Sequence, residues 1–577
     1  MSQPTHVKVT ETFGDESISV SYRHSEPLDA PKSFPLPGAG YYPPLNPRSY
    51  VEDAIHVDQD VEVVLRDGTI IYVDIYRDAG ALDVELPTIL AWCWFGKRPG
   101  DESAEEWTTF GVPPGAHSQM VKFEGPDPAF WCKKGYAVVN ADPRGAGNSQ
   151  GRLVFWGKQD AQDGHDAIEW AAAQPWSNGR IGLFGNSGLA ICQWFIAAEQ
   201  PEHLSCIAPW EGCADMYREF VSENGIPTPG FTDFVSSIGR SASGLVEDYS
   251  AMMREYPLMN DYWRSKIPDL GKITVPAYVT GGWNHLHMMG AINGFRRISS
   301  THKWLRVHRD FEWPDAYSWW NIEDLERFFD RYLKGIRNGW EATPKVRIDV
   351  MDAYAFDSEV GRLEKEFPLE RTEYTKLYLN ASESGMLSPV PVQTESHVSY
   401  DPETAEANFD YTFTEDTELV GFIKAHLWVQ ADGNDEMDLF LTVLKLGLDG
   451  QWLPTTVFDL PHPGAWGRLR VSHRALDDAL STDFQPVQSH LAAQKLAPGE
   501  IVPVDIPFYP HARIWHAGET LRLRVTGRYI RKDWFEPFSW TTDNSGRHVI
   551  HAGGTYDSYL QIPVIPPKHQ SGAYIYR

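Results

Sequence analysis

The chain has 577 residues, of which 42% are hydrophobic and 13% aromatic, and its net charge is −28 at pH 7. This length predicts two or three domains, and the negative charge argues against a nucleic acid or an anionic membrane surface as partner. No apolar run is long enough for a membrane-spanning helix, and the five cysteines form no CxxC pair. The sequence therefore predicts a cytoplasmic globular protein with reduced cysteines.

The first segment, residues 1–50, is rich in Pro, Gly and Tyr and is expected to pack as an arm over the surface of the adjoining domain. Beyond it, short apolar runs bounded by Gly and Pro alternate with helical patterns. The predicted strands are Thr88–Trp92, Tyr136–Asn140, Arg180–Phe184, Ser205–Ala208, Ala277–Thr280 and Trp304–Val307. Because alternating β and α units build a parallel sheet covered on both faces, we expect the functional site outside the carboxyl ends of these strands.

Two regions depart from this alternation. Residues 209–270 carry helical patterns and are expected to form a helical cap over the sheet edge. From residue 351 to 577, helical periodicity fades and β-rich segments are separated by Gly, Asp, Asn and Pro, which is typical of an antiparallel β-sandwich. The α/β domain is accordingly predicted to combine residues 51–208 and 271–350.

The most informative stretch is Ile181–Ala190, which predicts a buried strand, a tight Gly-Asn-Ser-Gly turn and the start of an apolar helix. A serine on such a turn forms a nucleophile elbow, because the turn lifts the Ser187 hydroxyl above the sheet edge. Gly185 provides the space that the turn needs, and the N–H of Gly188 is a candidate oxyanion donor. Leu189 stands where the usual pattern has a small residue. A glycine-rich β–α turn with an incidental serine is the alternative interpretation.

Further motifs occur in the order found in a known enzyme family. They are Arg66-Asp-Gly68, Trp94-Phe-Gly-Lys97, Asp142-Pro-Arg-Gly-Ala-Gly-Asn-Ser149, Ala208-Pro-Trp210, Gly282-Trp283 and Phe328-Phe-Asp-Arg-Tyr-Leu-Lys-Gly335. From residue 55 to 565 the chain thus resembles the cocaine esterase / X-Pro dipeptidyl-peptidase (CocE/NonD) family of serine hydrolases. The resemblance implies an α/β-hydrolase domain, a helical cap and a C-terminal jelly-roll, with no cofactor. Residues 193–201 are similar to fungal members, some of which accompany secondary-metabolite pathways.

The resemblance also implies positions for the catalytic groups, and Ser187 matches the nucleophile. Phe95 stands where relatives have a tyrosine whose hydroxyl is the second oxyanion donor, and loss of one donor costs about 2.7–4 kcal/mol. His285 stands where relatives have the acid, and Phe311 where they have the histidine base. His308 lies three residues before Phe311, at a predicted strand end. These substitutions leave the identity of the base open.

Two explanations are compatible with this pattern. In the first, a rebuilt dyad or triad uses His308 or His285 as the base, with Asp310 or Glu312 as the group that orients it. In the second, hydrolysis is lost and the pocket serves another reaction, since removal of the base of a serine protease costs roughly 10⁶ in kcat. An imidazole within about 3.2 Å of Ser187 Oγ would favour the first explanation, and an apolar wall around that atom would favour the second.

The side chains expected to line the substrate pocket are Trp94, Trp210, Trp283, His287 and Phe311. No metal site is expected, although His285 and His287 come closest to metal-ligand spacing. The favoured function is a serine hydrolase or acyl transferase that acts on an ester, lactone or amide of a hydrophobic small molecule, with secondary metabolism as its context. The alternatives are a non-hydrolytic cyclase or isomerase of an apolar metabolite and a non-catalytic ligand-binding protein. A homodimer is one arrangement that the sequence leaves open.

Overall fold

The computed structural model describes residues 6–30, 39–100, 104–382, 385–457, 460–529 and 539–566. The described residues form two compact units, and the chain passes from the first to the second between Arg347 and Ile348. The first unit also includes residues 539–541, and the second includes residues 224–226. The first unit combines helices and strands, whereas the second is built almost entirely from strands.

A mixed β-sheet organises the first unit. From the first described residue to His308, the strands are β1 (His6–Phe13), β2 (Glu16–His24), β3 (Arg48–Glu52), β4 (Ile55–Val64), β5 (Ile70–Asp78), β6 (Leu86–Trp92), β7 (Ala137–Asp142), β8 (Ser177–Asn186), β9 (Leu204–Trp210), β10 (Ser222–Glu223), β11 (Ile226–Pro227), β12 (Leu245–Glu247), β13 (Ala277–Gly282) and β14 (Lys303–His308). The strand order in the large sheet is β3-β4-β5-β7-β6-β8-β9-β13-β14. From β7 onward in this order the strands are parallel. Strands β6 and β13 are buried along their whole length, which explains their continuous apolar sequences. Every strand that the alternating pattern predicted is present in this sheet.

Helices connect the parallel strands, as the alternating pattern indicated, and two more follow the last of these strands. They are α1 (Ala104–Thr109), α2 (Pro128–Trp131), α3 (Lys158–Ala172), α4 (Gly188–Ala198), α5 (Pro229–Ile238), α6 (Tyr249–Glu255), α7 (Asp261–Arg264), α8 (Met288–Arg297), α9 (Glu312–Ala316) and α10 (Trp319–Tyr332). Helices α3 and α4 approach so closely that a Cβ built on Gly164 of α3 would lie 2.4 Å from Cδ1 of Ile196 on α4. In the described part of the chain, no helix is both long and apolar enough to cross a membrane. The α/β architecture that the resemblance implied is confirmed.

The region between β9 and β13 contains the helices of the predicted cap, α5, α6 and α7, together with a π-helical turn at Tyr217–Val221 and strand β12. Strand β12 pairs antiparallel with β2, which in turn pairs antiparallel with β1. The N-terminal arm is therefore more regular than expected, because residues 6–24 form a hairpin that extends a strand of the cap region. Ile18, Val20 and Tyr22 alternate along β2 and are buried. Residues 1–5 and 31–38 of the arm lie outside the described residues.

The second unit is a β-sandwich. Its strands are β15 (Val346–Met351), which begins at the junction, β16 (Asp357–Glu364), β17 (Glu373–Asn380), β18 (Met386–Ser388), β19 (Ser396–Tyr400), β20 (Ala407–Thr412), β21 (Thr417–Gly421), β22 (Lys424–Asp432), β23 (Asp438–Leu446), β24 (Thr455–Val457), β25 (Leu460–His462), β26 (Trp466–Arg470), β27 (Val502–Pro507), β28 (His511–Trp515), β29 (Thr520–Thr526), β30 (Arg547–Ala552) and β31 (Tyr559–Ile565). One antiparallel series runs β19-β30-β22-β27 and another runs β20-β29-β23-β26. Apolar side chains from both series, such as Leu427, Val429, Leu441 and Leu523, share one buried core. The C-terminal β-sandwich predicted from the sequence is confirmed.

Candidate active site

The turn between β8 and α4 holds Ser187 in a strained conformation. Its backbone has φ 51° and ψ −116°, a positive φ that costs a residue with a Cβ about 1–3 kcal/mol. The Ser187 N–H donates to the carbonyl oxygen of Glu211 at 2.9 Å, and the Asn186 N–H donates to that of Glu124 at 3.2 Å. These bonds stabilise the nucleophile elbow that the sequence predicted, at the carboxyl end of a central strand.

Gly185 makes this turn possible. Its φ is 147°, and a Cβ built on it would lie 2.5 Å from Cβ of Leu189 and 3.0 Å from the carbonyl oxygen of Glu124. That carbonyl accepts the hydrogen bond from Asn186, so it cannot move away without disturbing the elbow. A side chain at this position would therefore collide with the helix, as the sequence indicated.

Gly185→Ala is expected to lower the free energy of unfolding by at least ~2 kcal/mol, because the new methyl group adds overpacking to backbone strain. Thermal melting of the purified variant measures the loss. Gly115→Ala is the matched control, since Gly115 also has a positive φ of 77° but no heavy atom lies within 4 Å of its Cβ position. Equal melting temperatures for the two variants would contradict a collision of the new methyl group with Leu189 and the Glu124 carbonyl.

His287 is the imidazole beside the nucleophile. Its Nε2 lies 3.2 Å from Ser187 Oγ, and the residue occupies the N-cap of α8, just after β13. The sequence analysis placed His287 in the pocket wall and considered His308 and His285 as bases. The structure brings His287 to Ser187, and within the described residues neither His308 nor His285 hydrogen-bonds to that serine.

The other ring nitrogen of His287 faces a thiol. Nδ1 of His287 lies 3.2 Å from Sγ of Cys213. Burial, reinforced by the nearby His285 ring, holds the pKa of His287 well below its usual value, so the imidazole is neutral, which is the form that a base requires. Burial also raises the pKa of the Cys213 thiol, which therefore keeps its proton. For His287 to act as a base, its Nδ1–H must point to the sulfur so that Nε2 can accept the Ser187 proton.

Glu211 contacts both histidines that the sequence analysis favoured. Its carboxylate oxygens lie 2.8 Å from Nε2 of His308 and 3.5 Å from Nδ1 of His285. Burial acts to raise the pKa of Glu211, but the attraction of the two neighbouring imidazoles outweighs it and holds the pKa below its usual range. Burial acts to lower the pKa of His308, but Asp315, 3.3 Å away, and Glu211 raise it. His308 thus lies buried between two carboxylates that favour its protonated form.

Glu312 lies on the opposite edge of the His285 ring. Its Oε1 is 3.5 Å from Nε2 of His285. Burial, together with the neighbouring carboxyl groups of Glu124 and Glu211, holds the pKa of Glu312 well above its usual value. Of the two orienting groups considered from the sequence, Glu312 therefore faces His285, whereas the main-chain carbonyl oxygen of Asp310 lies 3.0 Å from the position of a Cβ built on Gly282.

The oxyanion side of the site lies at the N-terminus of α4, where Gly188 is the first helical residue. The Gly188 N–H and the helix dipole both favour negative charge at this point. The Phe95 ring lies against Gly188, since a Cβ built on Gly188 would lie 2.8 Å from Cε2 and 3.0 Å from Cζ of the ring. A phenylalanine ring presents only carbon and hydrogen to the turn. The ring touches the nucleophile turn but its side chain donates no hydrogen bond, in agreement with the sequence.

Phe95→Tyr is expected to raise kcat/KM for an ester roughly tenfold or more, toward the factor of 10²–10³ that one oxyanion donor is worth. The added hydroxyl extends from Cζ, the ring atom next to Gly188. Initial rates with a chromogenic ester measure the effect. Phe123→Tyr is the control, because Phe123 belongs to the same aromatic cluster, with its ring centroid 5.3 Å from that of Phe95. A folded Phe95→Tyr variant with an unchanged rate would exclude this ring position as a donor site.

Aromatic rings surround the elbow. The ring centroid of Trp94 lies 4.5 Å from that of Phe95, and Trp156 donates its indole N–H to the first carbonyl of α4 at 3.0 Å. Phe311 packs edge-on against His285, with centroids 4.7 Å apart. Trp94 and Phe311, both assigned to the pocket from the sequence, thus pack against Phe95 and His285 and add apolar surface to the candidate site.

Two tryptophans assigned to the pocket lie in the core instead. Trp210 is fully buried and packs between Phe184 and Tyr278, at centroid distances of 5.2 and 5.5 Å. It is the last residue of β9, so strand alternation directs its side chain to a helix-covered face. Trp283 is also fully buried, and its main-chain N–H donates to the carbonyl oxygen of His308 at 2.8 Å. Both positions serve packing at the strand ends.

Family models match both parts of the chain. Residues 67–247 match the X-Pro dipeptidyl-peptidase (S15 family), and residues 338–561 match the X-Pro dipeptidyl-peptidase C-terminal non-catalytic domain. The chain is also 25% identical over 392 residues to the cocaine esterase of Rhodococcus sp. (strain MB1 Bresler), a match that covers 58% of this chain and 64% of that enzyme. It spans less than two thirds of the length of the curated relatives that it matches.

Solved structures provide a longer match. A CocE/NonD family hydrolase from Staphylococcus aureus is 36% identical, with a TM-score of 0.83, over 89% of this chain and 94% of that chain. An α-amino acid ester hydrolase has a TM-score of 0.64 at 14% identity, over 90% of this chain and 99% of that chain, which shows a shared fold. The identity and coverage of the staphylococcal match, together with the elbow at Ser187, establish that the chain belongs to the CocE/NonD family of α/β-hydrolases.

Proposed function

We propose that the protein is a serine hydrolase that cleaves an ester or amide bond through an acyl-enzyme on Ser187. The observation that carries the proposal is the 3.2 Å contact between His287 Nε2 and Ser187 Oγ. A neutral imidazole at hydrogen-bonding distance from a serine hydroxyl is the pairing that activates the oxygen for attack on a carbonyl. Similarity to the cocaine esterase and to the staphylococcal hydrolase supports the same type of reaction.

The arrangement suits each step of acyl transfer. His287 Nε2 accepts the hydroxyl proton as Ser187 Oγ forms a bond to the substrate carbonyl carbon. The carbonyl oxygen becomes an oxyanion beside the Gly188 N–H, at the positive end of α4. His287 then gives the proton to the leaving alcohol or amine as the bond to it breaks. Water, deprotonated by the same imidazole, hydrolyses the acyl-enzyme and restores the Ser187 hydroxyl.

The environment of His287 sets the expected efficiency. A thiol, that of Cys213, faces Nδ1 where a complete triad has a carboxylate, so the imidazolium that forms during the reaction is less stabilised. Converting the triad aspartate of a serine protease into an amide lowers kcat by about 10⁴. We therefore expect a slower hydrolase than one with a complete triad. The Glu211 charge stabilises the imidazolium from a greater distance.

A hydrophobic substrate fits the wall around Ser187 best. Trp94, Phe95, Trp156 and Phe311 present ring surface at or next to the catalytic groups. Burial of apolar substrate surface against such rings contributes about 25 cal/mol per Å². An ester, lactone or amide of a hydrophobic small molecule is therefore the proposed substrate class. Secondary metabolism remains its proposed context.

A fluorophosphonate probe tests the proposal. We expect the probe to add its mass to the peptide that contains Ser187 and to abolish ester hydrolysis in proportion to labelling. Ser237 is the internal control and should stay unmodified, because it is an exposed serine of α5 whose hydroxyl donates to the carbonyl oxygen of Phe234. A protein that converts its substrate while Ser187 resists the probe would contradict the acyl-enzyme and favour a cyclase or isomerase.

A further inference from the structure

Next to the catalytic pair, the structure brings together three side chains that ligate metals. One ring nitrogen of His285, one of His287 and one carboxylate oxygen of Glu312 all lie within 4.8 Å of one another. All three side chains are buried. The sequence showed only the two histidines, because Glu312 is far from them in the chain and reaches the group through the turn between β14 and α9.

The separation between His285 and Glu312 matches two ligands of one ion better than a hydrogen bond. Nε2 of His285 lies 3.5 Å from Oε1 of Glu312, whereas an N–H···O hydrogen bond spans about 2.7–3.2 Å. Zinc binds imidazole nitrogen and carboxylate oxygen at about 2.0–2.2 Å, so two ligands at a tetrahedral angle are about 3.4 Å apart. Small side-chain rotations that bring in His287 complete a three-ligand set.

The surroundings of the group also fit a bound cation. A second carboxylate, that of Glu211, lies 3.5 Å from Nδ1 of His285. At this distance Glu211 contributes negative charge beside the ring and not a hydrogen bond of normal length, and Nε2 of His285 remains directed at Glu312. Among the described residues, none donates a hydrogen bond to the buried Oε2 of Glu312. Buried carboxylate oxygens without a partner call for a bound ion or water.

We propose that His285, His287 and Glu312 bind a Zn²⁺ ion, and that this ion and Ser187 compete for the His287 imidazole. Two imidazoles and one carboxylate with a fourth position open is an established ligand set for zinc. A neutral imidazole has a single nitrogen lone pair. Whichever nitrogen of His287 binds the ion, the ring can then no longer accept the Ser187 proton. Zinc is thus an inhibitor of the proposed hydrolysis, and this second part rests on the proposed function.

Metal binding can be measured without any catalytic step. Ser187→Ala protein, freed of metal with a chelator, is titrated with ZnCl₂ in a calorimeter, and we expect saturation at one ion per chain. His285→Ala and Glu312→Gln, each in the Ser187→Ala background, should weaken binding at least ~100-fold. His203→Ala is the matched control, because His203 is a surface imidazole 2.6 Å from Glu169, and it should leave binding unchanged.

Two results would overturn the zinc site. One is the absence of saturable binding at one ion per chain, and the other is undiminished binding in the folded His285→Ala and Glu312→Gln proteins. Circular dichroism establishes that each variant is folded. If His285→Ala is not folded, His285→Gln takes its place in the titration. Because these titrations use a protein without the Ser187 hydroxyl, their outcome does not depend on the acyl-enzyme.

The competition is tested on the wild-type protein. Added Zn²⁺ should slow fluorophosphonate labelling of Ser187 at least tenfold, and excess chelator should restore the rate. Labelling in chelator alone tests only the proposed function, so the two ideas fail separately. If zinc binds but the labelling rate is unchanged, the proposed competition is wrong, and the bound ion does not prevent His287 from accepting the Ser187 proton.

Discussion

Ser187→Ala is expected to lower kcat for a hydrophobic ester by a factor between roughly 10³ and 10⁶, the upper value being the loss observed for a protease nucleophile in a complete triad. Without Oγ no acyl-enzyme can form, so the variant keeps only the Gly188 N–H and substrate binding. Because Cys213, not a carboxylate, faces the base, the wild-type rate is lower and the loss falls below the upper value. Initial rates and mass spectrometry of the acyl-enzyme during a single turnover measure it.

Thermal melting of Ser187→Ala should stay close to that of the wild-type protein, since the elbow is stabilised by main-chain bonds to Glu211 and by the space at Gly185. Ser237→Ala, on cap helix α5, is the control and should retain the wild-type rate. Full turnover by a folded Ser187→Ala protein would show that the reaction needs no serine nucleophile. The pocket would then have to act through another group.

The α/β sheet could be predicted from the sequence because its strands are buried on both faces. Strands such as β6 and β13 have no exposed positions, so they read as continuous apolar runs bounded by turn residues. The elbow could also be predicted, because its requirements are local. A strand, a turn with glycine at positive φ and a helix follow one another within ten residues of Ser187.

The pairing of His287 with Ser187 could not be predicted, because it depends on contacts between distant parts of the chain. Ser187 and His287 are separated by 100 residues, and His285 lies in the same turn after β13. The two histidines differ only in where that turn directs them: His287, at the N-cap of α8, faces Ser187, whereas His285 faces Glu211 and Glu312. Sequence alone gives no measure of such a turn, and the resemblance placed the base at Phe311 and the acid at His285.

A different cause explains the missed N-terminal hairpin. Strand β2 carries a regular alternation at Ile18, Val20 and Tyr22, which is a recognisable strand pattern. The Pro- and Gly-rich composition of the whole arm concealed it. Of its two partners, β1 is adjacent in the sequence, whereas β12 lies in the cap region more than 200 residues later and could not be matched to it from the sequence.

The carboxyl ends of β8, β9, β13 and β14 meet at one edge of the sheet. At or just after each of these strand ends lies one polar side chain of the candidate site. Ser187 follows β8, Glu211 follows β9, His287 follows β13, and His308 ends β14. The surroundings shift the pKa values of the two histidines in opposite directions. Asp315 and Glu211 raise the pKa of His308, whereas burial lowers that of His287 and keeps its imidazole neutral. Of the two, His287 is therefore the imidazole better suited to accept a proton.

His287→Ala is accordingly expected to lower kcat by roughly 10²–10⁴, the usual contribution of a general base, and to slow fluorophosphonate labelling of Ser187 in parallel. His285→Ala and His308→Ala remove side chains that contact Glu211 instead of Ser187. Their losses should be smaller than that of His287→Ala by at least about a factor of 10. Steady-state rates with one ester, measured in the presence of a chelator, rank the variants.

Chemical rescue separates the loss of a base from a structural effect at the same position. Added imidazole should restore part of the activity of His287→Ala, because the cavity left beside Ser187 Oγ admits a small base, and should leave Ser187→Ala inactive. His203→Ala, which removes a surface imidazole paired with Glu169, should behave as wild type throughout. His308→Ala could instead show the largest loss of kcat while His287→Ala turns over normally. In that case the proton from Ser187 must leave through the His308–Glu211 pair, and the 3.2 Å contact between His287 and Ser187 would not be catalytic.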